Sequence, residues 1–110
     1  MGRGQIEGSG PIATMKIVFR ASADAEFVES AAWYEDQRPG LGFEFIDQVQ
    51  RVLDKIAEDP QRYSVALRDI REAIVSKFPY AVYYRVKPDR VVVIAVFHCS
   101  RDPAIWQSRN

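Results

Sequence analysis

The chain has one cysteine and one histidine among its 110 residues. A lone cysteine, Cys99, excludes an internal disulfide. Together with a lone histidine, His98, it also excludes a Cys/His zinc cluster. Neither a metal nor a cofactor is expected. Apolar runs are short as well. The longest, Val91 to Phe97, has the length of a strand and falls far below the roughly 18 residues of a membrane helix, so no membrane contact is expected. No phosphate-cradling glycine loop is present, because no Lys-Ser or Lys-Thr follows Gly40 and Gly42. Glu35 and Asp36 are consecutive on a helical segment and do not face each other. Positive charge is not in excess either: the formal net charge is zero, whereas a domain held on RNA by charge alone is usually basic.

What is present describes one folded domain, with 47% apolar and 27% charged residues, and a reducing, cytoplasmic compartment is the expectation that a single cysteine fits. Met1 to Thr14 carries four glycines and one proline without apolar patterning. It is expected to be an added leader or a disordered arm, and residues 15–110 the single domain. Charge is divided unevenly along that domain. Met15 to Gln61 holds five basic and ten acidic residues, Arg62 to Asn110 nine basic and four acidic, so the halves stand near −5 and +5. A sheet face enriched in arginine is suited to an acidic partner or a phosphate backbone.

Lys16 to Arg20 reads as a first strand. Ser22 is placed to cap a first helix, with Asp24 and Glu26 in the turn where the helix dipole favours negative charge. Phe27, Val28, Ala31 and Tyr34 recur at helical spacing as far as Arg38, where Pro39-Gly40-Leu41-Gly42 breaks the pattern. A second helix, from about Phe43 to Glu58, carries the stripe Phe45, Ile46, Val49, Val52, Leu53 and Ile56, and stops at Pro60. The short connection implies an antiparallel helical hairpin whose apolar stripes need a sheet to cover. Ile70 to Phe78, Ala81 to Val86 and Val91 to Phe97 then read as three strands. Lys87-Pro88-Asp89-Arg90 forms the turn between the last two. The final strand is apolar enough to lie centrally with both faces covered. The expected class is α+β: an N-terminal strand, a helical hairpin, then a three-stranded antiparallel meander, with the helices on one face of a twisted sheet. Tyr83 and Tyr84 are adjacent on a strand and must point to opposite faces.

The last 40 residues carry a resemblance. Arg71 on a strand, the bend Phe78-Pro79-Tyr80, the strand Tyr84-Arg85-Val86, the buried run Val91 to Phe97, then His98, Arg101-Asp102-Pro103 and Trp106 to Arg109 follow one another as in toxins of the RelE/ParE superfamily. The segment WYEDQRPGLGFEFIDQV is similar to that family's N-terminal half. Met15 to Arg109 thus resembles a RelE/ParE toxin throughout.

The resemblance implies the toxin half of a type II toxin–antitoxin, or plasmid-stabilisation, system with a cognate antitoxin. It further implies assembly as a toxin–antitoxin hetero-oligomer or a homodimer. Its ParE-like branch inhibits DNA gyrase by binding, while its RelE-like branch cleaves mRNA on the ribosome. The basic cluster of the RelE-like branch falls near Glu72, Ile74, Ala81 and Cys99, none of them basic, which favours the ParE-like branch. If the protein were a nuclease, Arg71, His98, Arg101 and Trp106 would form the catalytic set: His98 as a base, the arginines on phosphate and Trp106 stacked on a nucleobase. That set requires the first three to converge on one phosphate-sized site. In structural roles, His98 would bond the backbone at a strand end, Asp102 would pair with Arg101 or cap the turn before Pro103, and Trp106 would plug the core. Arg71, a charge in an apolar strand, needs a partner such as Glu44, Asp47 or a ligand. Tyr80, Tyr83, Tyr84, Arg85 and Arg109 are the expected contacts to antitoxin or target, one of the two adjacent tyrosines lying in an open groove. A member that keeps antitoxin binding but has lost toxicity is a third reading.

Overall fold

The computed structural model describes residues 14–109; apart from Thr14, the expected leader lies outside them. In chain order the elements are β1 (Lys16–Phe19), α1 (Ala21–Gln37), α2 (Leu41–Glu58), β2 (Val65–Leu67), β3 (Ile70–Ile74), β4 (Tyr80–Val86), β5 (Arg90–His98) and α3 (Ala104–Gln107). The five strands form one sheet in the order β1-β5-β4-β3-β2. β1 runs parallel to β5, with Ile17 opposite Val91, and every other pairing is antiparallel. The α+β class and the helical hairpin covering one sheet face agree with the sequence. Among the described residues, no helix is long and apolar enough to cross a membrane.

β5 owes its central place to composition. Val91 to Phe97 is buried along its whole length, and β-branched residues suit a strand covered on both faces. Opposite it, β4 pairs Tyr83 with Ala95 and Tyr84 with Val93, so Ile94 is an unpaired bulge residue. The extra residue turns Ile94 and Ala95 onto the same face. One apolar cluster, beneath the hairpin, gathers Phe45, Val49, Ile56, Val82, Tyr84 and Val93. The other, on the far face, gathers Ile70, Tyr83, Ile94, Phe97 and Trp106.

Several boundaries differ from the expectation, each for a local reason. Ser22 does not cap α1: the helix starts at Ala21 with Arg20 as its flanking residue and no side-chain cap. The Arg20 N–H donates to the Val93 carbonyl at 3.0 Å, so pairing with β5 decides where the helix begins. α2 starts at Leu41 because Gly40 turns through a left-handed conformation, φ 90°, open to glycine at little cost. The expected strand Ile70–Phe78 ends at Ile74. Lys77 has a φ of 70°, which takes the chain off the sheet before Phe78. β2 was not anticipated and adds a fourth antiparallel strand at the sheet edge. Val28 and Ile46, read as core, are 60% and 39% exposed on the outer side of the hairpin.

The turn between the helices is held by Glu35. Its carboxylate accepts the Gly40 N–H at 2.9 Å and the Gly42 N–H at 3.0 Å, satisfying two amides at the start of α2 that have no partner within the helix. A Cβ on Gly42 would lie 2.7 Å from the Ala31 carbonyl oxygen. Glycine at this position is what lets the two helices approach so closely.

Candidate functional site

At one end of the sheet, α1 and the C-terminal end of β5 enclose an open groove of about 560 Å³. Glu29, Ser30, Trp33 and Tyr34 line it from α1. Tyr80 of β4, with His98, Ser100 and Arg101, lines the other wall. A smaller cleft of about 90 Å³ continues inward past Glu26 and Val96. The walls are largely aromatic. Trp33, 58% exposed, meets Tyr34 edge-on with ring centres 5.2 Å apart, and Tyr80 meets His98 in the same way at 5.1 Å. Burial first, and the neighbouring Tyr80 second, push the Tyr34 phenol above the ordinary tyrosine range.

His98 Nδ1 accepts the Ser100 backbone N–H at 3.0 Å and lies 2.8 Å from the Ser100 hydroxyl. An Nδ1 engaged as acceptor places the proton of the neutral ring on Nε2. This is the strand-end backbone bond expected for a structural histidine. Arg101 sits 4.4 Å above the Phe97 ring and donates to Glu26 at 3.2 Å, its side chain 45% exposed. His98 and Arg101 therefore share one groove.

Arg71 and Trp106 are elsewhere. Arg71 pairs with Tyr84, and Tyr80 pairs with His98, so Arg71 and His98 flank β4 on opposite sides and are four residues apart along it, about 13 Å in that direction alone. The Arg71 guanidinium donates to the Tyr63 carbonyl at 2.6 Å, the Gln61 carbonyl at 3.3 Å and the Gln61 side-chain oxygen at 2.6 Å. Its partner is thus the loop after α2 rather than Glu44 or Asp47, which pair with Arg38 and Arg51. Trp106 belongs to the far face of the sheet, 3% exposed and stacked on Tyr83 with ring centres 3.9 Å apart. Its Nε1 is buried without a hydrogen-bond acceptor among the described residues. Asp102 caps α3 by accepting the Ala104 N–H at 3.0 Å and does not pair with Arg101.

Of the expected contact residues, Tyr80 reaches the groove. Tyr83 and Tyr84 do point to opposite faces, but neither lies open. Tyr84 is fully buried beneath the hairpin and donates to the Pro60 carbonyl at 2.7 Å. Tyr83 is covered by α3 and donates to Glu72 at 2.5 Å. Burial, the larger cause in each, raises both phenols, Tyr84 to about 12. Burial followed by the nearby Glu72 raises the Cys99 thiol. Arg85 pairs with Asp69 at 3.0 Å. Arg109 donates to Glu26 at 2.8 and 3.0 Å and to the Ile94 carbonyl at 3.1 Å.

Glu26 is the residue that the pattern of the sequence did not single out for this role. Placed beyond the first turn of α1, it accepts Arg101, Arg109 and the Val96 backbone N–H. It fastens the hairpin both to β5 and to the segment after α3. Its partners lie 70 to 83 residues away along the chain, beyond the reach of local periodicity. Among the described residues no cluster of His, Cys, Asp and Glu is arranged to hold a metal ion.

Comparison with known proteins agrees with this architecture. A family model described as "ParE toxin of type II toxin-antitoxin system, parDE" matches residues 17–103. No curated protein is significantly similar in sequence. Among solved structures, a chain from the "Chromosomal ParDE TA system from P. aeruginosa" is similar in fold, with a TM-score of 0.68 over 78% of this chain and 97% of that one, at 11% identity.

Proposed function

We propose that this chain, which belongs to the ParE toxin family of type II toxin–antitoxin systems, inhibits DNA gyrase by binding it and is neutralised by a cognate antitoxin. The observation that carries the choice of binding over cleavage is the placement of the basic and aromatic residues. Cutting RNA by 2′-hydroxyl attack needs a base, a phosphate-stabilising cation and an acid around one phosphorus. Arg71 is committed to backbone carbonyls and is displaced from His98 by about 13 Å along the strands and by two strands across the sheet, and Trp106 is on the other face of the sheet. Arg101 is drawn to Glu26. The groove between α1 and the end of β5 offers aromatic surface, the Nε2 of His98 and one half-exposed cation. That combination suits docking against a protein surface, where aromatic residues and arginine dominate the binding energy.

Purified toxin added to a supercoiling reaction tests this reading. Gyrase inhibition, relieved by equimolar antitoxin and weakened by Trp33→Ala, is the expected result. Unimpaired supercoiling with transcripts cut in translating extracts would refute it and return His98 and Arg101 to catalytic roles.

A further inference from the structure

The groove at the end of the sheet carries charge as well as aromatic surface, and its charges are not equally free. Arg101 is held from two sides, by the Glu26 carboxylate at 3.2 Å and by the Phe97 ring at 4.4 Å. Glu26 is engaged in turn, since it also accepts Arg109 and the Val96 N–H. Glu29 lines the same groove, is exposed and forms no ion pair among the described residues. It precedes Trp33 by four residues on α1, so the two side chains are neighbours on one helix face. Trp33 is exposed and, with Tyr34 and Tyr80, gives the groove its aromatic surface. The open charge of the groove is therefore a carboxylate set beside π faces. α1 as a whole carries Asp24, Glu26, Glu29, Glu35 and Asp36 and no basic residue, so the field along this wall is negative beyond the one side chain.

We infer that the groove receives an arginine side chain of the protein that the toxin binds as its target, with the guanidinium set between Trp33 and Glu29. The inference rests on the reading of the groove as the target-docking site and deepens it. A guanidinium is planar. It stacks on the face of an aromatic ring and at the same time donates parallel N–H bonds to a carboxylate. Trp33 and Glu29 supply those two partners side by side. An acidic side chain fits the groove less well. It would reach Arg101 only in competition with Glu26, and it would stand against the unpaired Glu29, where like charges repel. The Nε2–H of His98 is a single neutral donor and suits a backbone carbonyl of the incoming segment.

Three short peptides test the inference without the target. An acetylated, amidated Gly-Arg-Gly peptide, its citrulline analogue, which keeps the shape and removes the charge, and a Gly-Glu-Gly peptide are titrated into the purified toxin and into Glu29→Gln. The Trp33 indole N–H resonance, assigned by its loss in Trp33→Phe, is followed by NMR. The arginine peptide is expected to bind wild type at least fivefold more tightly than the citrulline peptide. That preference is expected to vanish in Glu29→Gln at an unchanged melting temperature. Equal binding of the arginine and citrulline peptides, no shift of the Trp33 signal, or a preference for the glutamate peptide would overturn the inference. So would a preference for arginine that survives in Glu29→Gln. A supercoiling assay separates the inference from the reading beneath it. Glu29→Gln is expected to inhibit gyrase at least fivefold less strongly than wild type. Full inhibition by Glu29→Gln overturns the inference and leaves gyrase as the target. An arginine preference in the peptides, with no inhibition by wild type, supports the arginine site and removes gyrase as its partner.

Discussion

Replacing Gly42 by alanine sets two effects against each other, and the distances decide between them. Ala is favoured over Gly inside a helix by about 1 kcal/mol, so with open space around it Gly42→Ala would stabilise α2. The space is not open. The new Cβ would stand 2.7 Å from the Ala31 carbonyl oxygen, 2.9 Å from Glu35 Oε1 and 3.0 Å from Glu35 Cβ. Two of these three neighbours sit on or next to the α1 backbone and cannot rotate away. The helices must separate by several tenths of an ångström, and that movement pulls Gly40 and Gly42 away from the Glu35 carboxylate they share. Overfilling a close contact costs about 1–3 kcal/mol, and weakening hydrogen bonds to a charged acceptor adds about 1–2 kcal/mol more. The clash outweighs the propensity, and a net loss of about 2 kcal/mol is expected. At roughly 4–8 °C per kcal/mol for a domain of this size, the melting temperature falls by roughly 10 °C. Urea unfolding of the isolated toxin, followed by circular dichroism, measures it. A Gly42→Ala variant as stable as wild type, or more so, would show that the hairpin is not held at this contact.

Three further outcomes follow from the same geometry. Glu26→Ala removes the acceptor of the Val96 N–H and leaves Arg109 only the Ile94 carbonyl, its charge unpaired, at a site where the Glu26 side chain is 12% exposed; a loss of about 3 kcal/mol is expected. Arg101→Ala, at the exposed rim of the same cluster, should cost under about 1 kcal/mol, and equal losses for the two in thermal melts would contradict the hub. Trp106→Phe keeps a ring against Tyr83 while removing an indole N–H that has no acceptor among the described residues, so it should cost far less than the roughly 3–5 kcal/mol of Trp106→Ala. Finally, the Tyr84 phenol is raised in the folded state from 10.0 to about 12. Its contribution to stability is therefore complete below pH 10 and is lost as pH rises through about 12. Alkaline unfolding curves of wild type and Tyr84→Phe should diverge over that window, and coincident curves would refute the assignment.

Much of this architecture can be read in the chain because the signals are local. The α2 stripe, the breakers at Pro39-Gly40 and Pro60, and the apolar run of β5 each act within a few residues. The edge strand Val65–Leu67 escapes because three residues, two of them exposed, carry no period of their own. The pairing of β1 with β5 is invisible for another reason: a parallel partner is chosen by topology rather than by pattern. The groove was legible only in part. His98, Arg101 and Tyr80 meet there as neighbouring strands dictate, but Trp33 and Glu29 come from a helix face that the apolar stripe did not mark. Arg71 stands out in the sequence as a charge in an apolar strand, yet its acceptors are two backbone carbonyls and the Gln61 side-chain oxygen, which residue types do not reveal. Val28 and Ile46 fit the helical stripes and still face water, because helical spacing marks a stripe without showing how much of it the rest of the fold covers.

β5 gives the fold an order in time. It forms the junction between β1 and β4 and supplies residues to both apolar clusters, yet it follows every other strand along the chain. As the polypeptide is synthesised, the hairpin and the β2-β3-β4 meander emerge with no central strand to close upon, and β1 waits without a neighbour. Distant pairings of this kind form slowly. Neither the groove nor the Glu26 fastening exists until His98, Arg101 and Arg109 have been added. On the reading proposed above, the chain gains its binding groove only when synthesis is nearly complete.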